Sequence, residues 1–350
     1  MDELSGPVLR ISRAQLARNI SLVQAHLDPS RLMLVMKDDA YGHGIDAVVE
    51  VAQTGAGVTL FGGYDVATSL RIRACAALDT RIFAWATSDD DDVERALRAD
   101  IDLGVGTRRY LDRVISLAEA INTTAKVHLK IDTGLRRNGI LPADWPDVVT
   151  RAVAAQRAGT IEIVGAWSHL AEASDAEDDL AAAEFKDAVS VLRRAGASPQ
   201  DLHLTASAAS WWRPELRGSV CRVGAFCYGI RSADGPEIEG VRPIAALEAA
   251  VVDVEAESVR IGIGSLHGLP STLVGAHVAT STGLREVLRI NDVTTTLRGW
   301  TDARVGEPVR LFGPGDQGEV DATTLAERID TVGEEVITRL TSRVRRVMED

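Results

Sequence analysis

Apolar residues along this chain fall into two alternating patterns. Largely apolar runs at 32–36, 58–61, 82–85, 101–105, 127–131, 161–166, 202–205 and 221–226 have the length of strands buried on both faces. Between most of them, apolar positions three and four apart predict helices over 45–53, 66–76, 91–98, 108–121, 145–157 and 178–194. The link between the last two runs, 208–216, has room for one turn of helix. Ahead of the series, a strand over 8–11 leads to Ser12, a side chain suited to capping a helix. Leu16, Ile20, Val23 and Leu27 then set a helix over 13–27. Eight strands alternating with helices predict an α/β chain, a (β/α)8 TIM barrel. A doubly wound sheet is the other arrangement this alternation permits.

The texture changes after Gly229. Arg231-Ser232-Ala233-Asp234-Gly235-Pro236 is rich in turn formers and marks a boundary. Beyond it, short segments at 244–254, 259–263, 287–290 and 309–312, separated by glycine-containing turns, predict a C-terminal mostly-β domain. A helix over 323–329 and a last segment over 331–347 complete it. The expected domains are therefore a barrel over 1–235, with residues 1–11 open to pairing with the β domain, and a β domain over 236–350.

Composition narrows the classes. A chain of 350 residues, 45% apolar and 25% charged, suits a soluble globular protein with a large core. A formal net charge of -13 argues against nucleic acid or an anionic membrane surface as partner. No apolar stretch is long enough to span a bilayer, and Met1-Asp2-Glu3-Leu4-Ser5-Gly6 carries no signal-peptide pattern. Cys75, Cys221 and Cys227 fit no metal-ligand spacing and are expected as buried thiols in a reducing cytoplasm. The acidic run at 89–92 reads as a solvated helix start rather than a metal site, so no metal is expected.

Chemistry in a barrel lies just beyond the C-terminal ends of the strands. Lys37 stands there after the first run, followed by Asp38-Asp39-Ala40-Tyr41-Gly42-His43-Gly44. Lys130-Ile131-Asp132-Thr133-Gly134-Leu135-Arg136-Arg137-Asn138-Gly139 follows the fifth run, and Trp167-Ser168-His169 the sixth. The seventh leads from His203 to Ser207, and the eighth holds Cys221-Arg222-Val223-Gly224-Ala225. A lysine at a strand mouth is the residue type that forms a Schiff base with a carbonyl cofactor.

The Lys-x-x-Ala-Tyr-Gly-His-Gly pattern beginning at Lys37, and the Lys-x-Asp-Thr-Gly-x-x-Arg-x-Gly pattern beginning at Lys130, resemble motifs of the alanine racemases. The resemblance extends over nearly the whole chain, from Val8 to Val347. It implies a cytoplasmic pyridoxal-phosphate enzyme acting at Cα of a small amino acid. By that resemblance Lys37 would carry the cofactor, and Tyr41, Ser207 and the amides of Gly224 and Ala225 would hold its phosphate. His169 would lie near the ring, and Arg222 would donate to the pyridine nitrogen. Arg137 would reach the phenolic oxygen and the substrate, and Lys130 would be carbamylated. A head-to-tail homodimer is implied, each site completed by the other chain's β domain.

This sequence departs from the family pattern in its second half. The resemblance calls for a second catalytic base, a tyrosine in Gly-Tyr-x-Asp-Gly, where this chain has Gly264-Ser265-Leu266-His267-Gly268. The four tyrosines are Tyr41, Tyr64, Tyr110 and Tyr228, so none follows residue 228. A phosphate-binding tyrosine in Thr-x-x-Tyr-Glu is replaced in Thr331-Val332-Gly333-Glu334-Glu335. Asn291-Asp292 stands where Met-Asp seats the substrate carboxylate. If 264–268 is extended, Ser265 and His267 share a face and form a possible catalytic pair. The expected function is an alanine-racemase-like enzyme with weakened or altered racemisation. The alternative is a non-racemising pyridoxal-phosphate protein, or a one-base enzyme of transamination or retro-aldol type.

Overall fold

The computed structural model describes residues 6–233 and 235–350; residues 1–5, and Asp234 of the 231–236 turn, lie outside the described residues. The chain divides into two compact units. One comprises Val23–Lys37 and Gly57–Gly224, the other Met1–Leu22, Asp38–Ala56 and Ala225–Asp350.

The first unit holds eight parallel strands: Arg31–Val35, Leu60–Tyr64, Arg81–Ala84, Asp102–Val105, Ala125–Lys130, Ile161–Trp167, Asp201–His203 and Val220–Val223. The first seven pair in sequence order, and the eighth pairs with the first, with Arg31 opposite Val220 and Leu34 opposite Val223. At the remaining seam the Arg222 amide donates to the Thr205 carbonyl at 3.3 Å. The ring is a nearly closed barrel, which excludes the doubly wound order.

Local chemistry explains most helix starts. Asp65, Asp89, Thr107 and Ser174 each accept a first-turn amide through the side chain. The acidic run thus opens a helix, as its sequence suggested, with Asp89 accepting from the Asp92 amide at 2.9 Å. Inside the barrel, Met33, Leu60, Phe83, Trp167 and Val220 pack together with Trp85 against them.

Three expectations are corrected here. The 221–226 run is not one strand: it stops at Val223, and after Gly224 a 3-10 turn covers Ala225–Tyr228. Glycine gives the ladder nothing to pack and ends it. The 202–205 run is likewise a strand only to His203. Cys75 is exposed at the end of its helix, whereas Cys221 and Cys227 are buried.

In the second unit, Val8–Ser12 pairs antiparallel with Ala245–Val254 and parallel with Arg345–Glu349. Ser258–Ile261, His277–Thr280, Gly283–Ile290, Thr295–Arg298 and Pro308–Phe312 complete the sheet. His277–Thr280 buries Val278, Ala279 and Thr280, and Thr295–Arg298 buries Thr295 and Leu297, so neither strand is apolar enough to stand out as a run. Gly333–Thr338 is a short helix within the 331–347 segment. Among the described residues, no helix is long and apolar enough to cross a membrane.

Candidate active site

The loop after the strand Ala125–Lys130 shows why its sequence is what it is. The Asp132 carboxylate accepts the amides of Gly134 (2.9 Å) and Arg136 (3.1 Å), folding the chain back on itself. The Asp132 amide donates to the Ile140 carbonyl, and the Ile140 amide to the Lys130 carbonyl. Gly139 has φ +140°, and a Cβ there would stand 2.6 Å from the Asp132 nitrogen. Only glycine closes this loop. The closed loop carries Arg137, an exposed guanidinium that makes no hydrogen bond or ion pair to any described residue.

Lys130 is buried, with its Nζ 4.5 Å from the Trp167 ring centroid. Burial, and then the charges of Arg222 and Arg137, push its amine down to about 8. The neighbouring Trp167 indole N–H is buried and finds no partner among the described residues.

Arg222 rises from the last barrel strand and is 5% exposed. One terminal nitrogen donates to His203 Nδ1 (3.0 Å) and to the His203 carbonyl (3.0 Å). The other donates to the Ser168 carbonyl (2.9 Å), His169 Nδ1 (3.0 Å) and the Leu204 carbonyl (3.1 Å). Both terminal nitrogens are thus spent on the barrel, and Nε–H is the donor left without a partner among the described residues. Burial draws the guanidinium down to about 10, so it stays charged at neutral pH.

His169 stands among four cations. Burial, then Arg222, Arg137, Lys130 and Lys37 in that order, hold its imidazole at about 3. It is neutral at pH 7, and because Arg222 must donate, its Nδ1 accepts. The same electrostatics tie half-buried Lys37 to this cluster. Ser207 opens the helix Ser207–Trp212, and its hydroxyl accepts the Gly224 amide at 3.3 Å. Lys37, Lys130, Arg137, His169 and Arg222 therefore form one neighbourhood, rich in positive charge and suited to an anion or an electron-withdrawing ring.

The remaining expected residues lie in the other unit. After Lys37 the backbone takes four left-handed steps, with φ +53° at Asp38 and +55° at Asp39, Ala40 and Tyr41. Such residues cost about 1–2 kcal/mol each, so other bonds must hold them. The Gly44 amide donates to the Asp39 carbonyl at 2.9 Å, and the Ile45 amide to the Asp39 carboxylate at 3.1 Å. Arg346 Nε adds a bond to the Gly42 carbonyl at 3.2 Å. The turn buries Tyr41 against Tyr228, ring centroids 4.9 Å apart. The Ala225 amide reaches the Tyr41 hydroxyl. Burial, and then the carboxylate of Glu334 from the helix Gly333–Thr338, hold that hydroxyl far above its ordinary value.

The 264–268 segment is not extended. Ser265–His267 is a single 3-10 turn. At three residues per turn, positions two apart point in different directions, so the expected shared face is absent. The Gly264 amide donates to His267 Nδ1 at 3.0 Å. Burial and Arg343 lower the imidazole. In the resulting tautomer Nε2 carries the hydrogen and has no lone pair to offer. The Ser265 amide donates to the Asn291 carbonyl at 2.9 Å, which brings those two positions together through the backbone.

Sequence reading passed over His128 and Asp102, which stand behind His203, the partner of Arg222, inside the barrel. The available signal was polarity: Asp102 and His128 are buried polar members of barrel strands.

Comparison with known proteins accounts for the whole chain. Residues 11–232 match the alanine racemase N-terminal domain and residues 261–348 the alanine racemase C-terminal domain. The chain is 32% identical to the alanine racemase of Thermobifida fusca, over 97% of this chain and 96% of that protein. It is 34% identical to that of Beutenbergia cavernae, over 95% of each. The crystal structure of alanine racemase from D-cycloserine-producing Streptomyces lavendulae superposes with a TM-score of 0.92 at 28% identity, over 100% of this chain and 98% of that one. The Streptomyces coelicolor A3(2) alanine racemase structure also gives a TM-score of 0.92, at 27% identity and over 98% of each chain. With both domains matched and identity above 30% over nearly its full length, the chain belongs to the alanine racemase family, whose cofactor is pyridoxal 5'-phosphate.

Proposed function

We propose that this protein uses pyridoxal phosphate to labilise the Cα proton of a small amino acid, working from the Lys37 face, with inversion weakened because Ser265 occupies the second base's position. The observation that carries the cofactor reading is Arg222, whose terminal nitrogens are all engaged while Nε–H is left to donate. That donor suits the pyridine nitrogen. An arginine gives up its proton reluctantly, so the nitrogen stays unprotonated and the cofactor is a weaker electron sink than it would be beside a carboxylate. The cofactor, when bound, supplies the electron withdrawal that acidifies Cα.

The chain's own residues do the rest. Lys37 holds the cofactor and takes the Cα proton. Arg137, with no partner among the described residues, would meet the substrate carboxylate. Lys130 at about 8 has enough neutral amine to react with carbon dioxide, and a carbamate there would gain from Arg137 and Arg222 the stabilisation that the ammonium lacks. Ser207 and the Gly224 amide would hold the phosphate.

Serine is a poor general base without an activating neighbour, and His267 has committed its accepting nitrogen to Gly264. Asn291, bonded to Ser265 through its backbone, would border the substrate. The exposed Ser265 and Leu266 suit delivery of this turn to a second copy in a head-to-tail homodimer. Light scattering at micromolar concentration should give twice the chain mass, and a monomer would contradict the shared site. Titration with pyridoxal phosphate should raise a visible absorption band in the wild type and none in Lys37→Ala. Equal bands in both would overturn the assignment of Lys37.

A further inference from the structure

We propose that His128 and Asp102 are positioning residues for Arg222, acting through His203 along a one-way hydrogen-bond chain that crosses the barrel core. This deepens the reading of Arg222 as the donor to the cofactor ring.

The direction of the chain follows from its two ends. A guanidinium has no acceptor, so His203 Nδ1, 3.0 Å from Arg222, must accept. The hydrogen of neutral His203 then sits on Nε2, which is 2.9 Å from His128 Nδ1 and donates to it. His128 in turn carries its hydrogen on Nε2, 3.2 Å from an Asp102 carboxylate oxygen. A carboxylate accepts, so every link points the same way, from arginine to aspartate. Asp102 is itself held by Arg81, which also bonds Asp201 at 2.6 Å. Burial would raise the Asp102 carboxyl, but His128 and Arg81 outweigh it and keep it ionised.

The surroundings leave no substitute for these bonds. Arg222 is 5% exposed, Asp102 1%, and both histidines 0%. Trp167 stacks on His203 at 5.7 Å and 6°, and Phe83 lies 4.5 Å from His128. Even the backbone makes room: a Cβ at Gly165 would come within 2.0 Å of His128 Nδ1. Without His128, the His203 Nε2–H is left buried with no acceptor, and the Arg222 contact alone must hold the tautomer against that cost. In the other tautomer His203 would aim a hydrogen at Arg222, and the guanidinium would turn, taking Nε with it.

The test reads histidine tautomers by 15N NMR in the cofactor-free protein, so its outcome does not depend on whether pyridoxal phosphate binds. In the wild type, His203 and His128 should both appear as Nε2–H tautomers. An Nδ1–H tautomer at either one overturns the chain outright. In His128→Leu and in Asp102→Ala, His203 should become a mixture of tautomers, while Asp102→Asn, which keeps an accepting oxygen, should leave it single. An unmixed His203 in a folded His128→Leu overturns the positioning role. In the loaded protein the visible band should shift in His128→Leu and stay in place in Asp102→Asn. Failure of the wild type to develop a band counts against the cofactor reading, while the tautomer result still decides the chain.

Discussion

The barrel cluster and the 264–268 turn make opposite impressions. In the barrel, Arg222 is joined to His203, His169 and the Ser168 carbonyl by bonds that fix both histidine tautomers, and Arg137 and the Arg222 Nε–H keep donors without a partner among the described residues. In the other unit, Ser265 lies exposed on a 3-10 turn, His267 spends its acceptor on its own backbone, and Glu334 faces Tyr41 with a negative charge. One region is prepared to hold a ligand and polarise it. The other, on the function proposed above, offers no group to take a proton from the opposite face. On that reading, holding a cofactor and completing a two-base reaction are separable properties, carried by different stretches of chain.

The comparison can be broken most forcefully at Ser265. Restoring a phenol with Ser265→Tyr should raise inversion of alanine relative to exchange by about a hundredfold or more, the range of a well-placed acid–base group. Circular dichroism of the alanine pool would follow it. No change would mean that the turn does not reach the reacting carbon. Next comes Glu334, whose charge opposes a phosphate beside Tyr41. Glu334→Tyr should tighten pyridoxal phosphate by about ten- to a hundredfold, or about 1.4–2.8 kcal/mol, measured by fluorescence titration.

A smaller effect concerns acid. His169 titrates at about 3 in the folded protein against 6.5 ordinarily, and buried His203 is also lowered. The unfolded chain therefore binds protons that the native state refuses, and stability rises with pH through this window. Acidification from pH 6.5 should cost up to about 1.4 kcal/mol per pH unit for each group, seen as a falling denaturation midpoint. The smallest effect is expected at His267: since its accepting nitrogen is already bonded, His267→Ala should leave Cα exchange unchanged. A marked loss would restore it to the mechanism.

The sequence displayed the barrel because parallel strands buried on both faces are continuous apolar runs. Arg31–Val35 and Ala125–Lys130 lie within a residue or two of where periodicity puts them. His277–Thr280 and Thr295–Arg298 were invisible because a sheet with half-polar strands carries little apolar signal. Lys37, Arg137 and His169 could be named because they follow strand ends, where chemistry collects, whereas Lys130 and Arg222 lie within strands and were named through the motifs that resemble the alanine racemases. His128 and Asp102 could not, since a polar residue inside a strand reads as a flaw until its partner 75 or 26 residues away is known. Left-handed backbone at Asp38-Asp39-Ala40-Tyr41 was equally unreadable, as these residue types do not announce it.

The most direct test is deuterium incorporation at Cα of D- and L-alanine, followed by NMR in heavy water with pyridoxal phosphate added. The account predicts exchange that greatly outpaces inversion and is confined mainly to one enantiomer. Exchange and inversion at matching rates in both enantiomers would show a competent second base and contradict it.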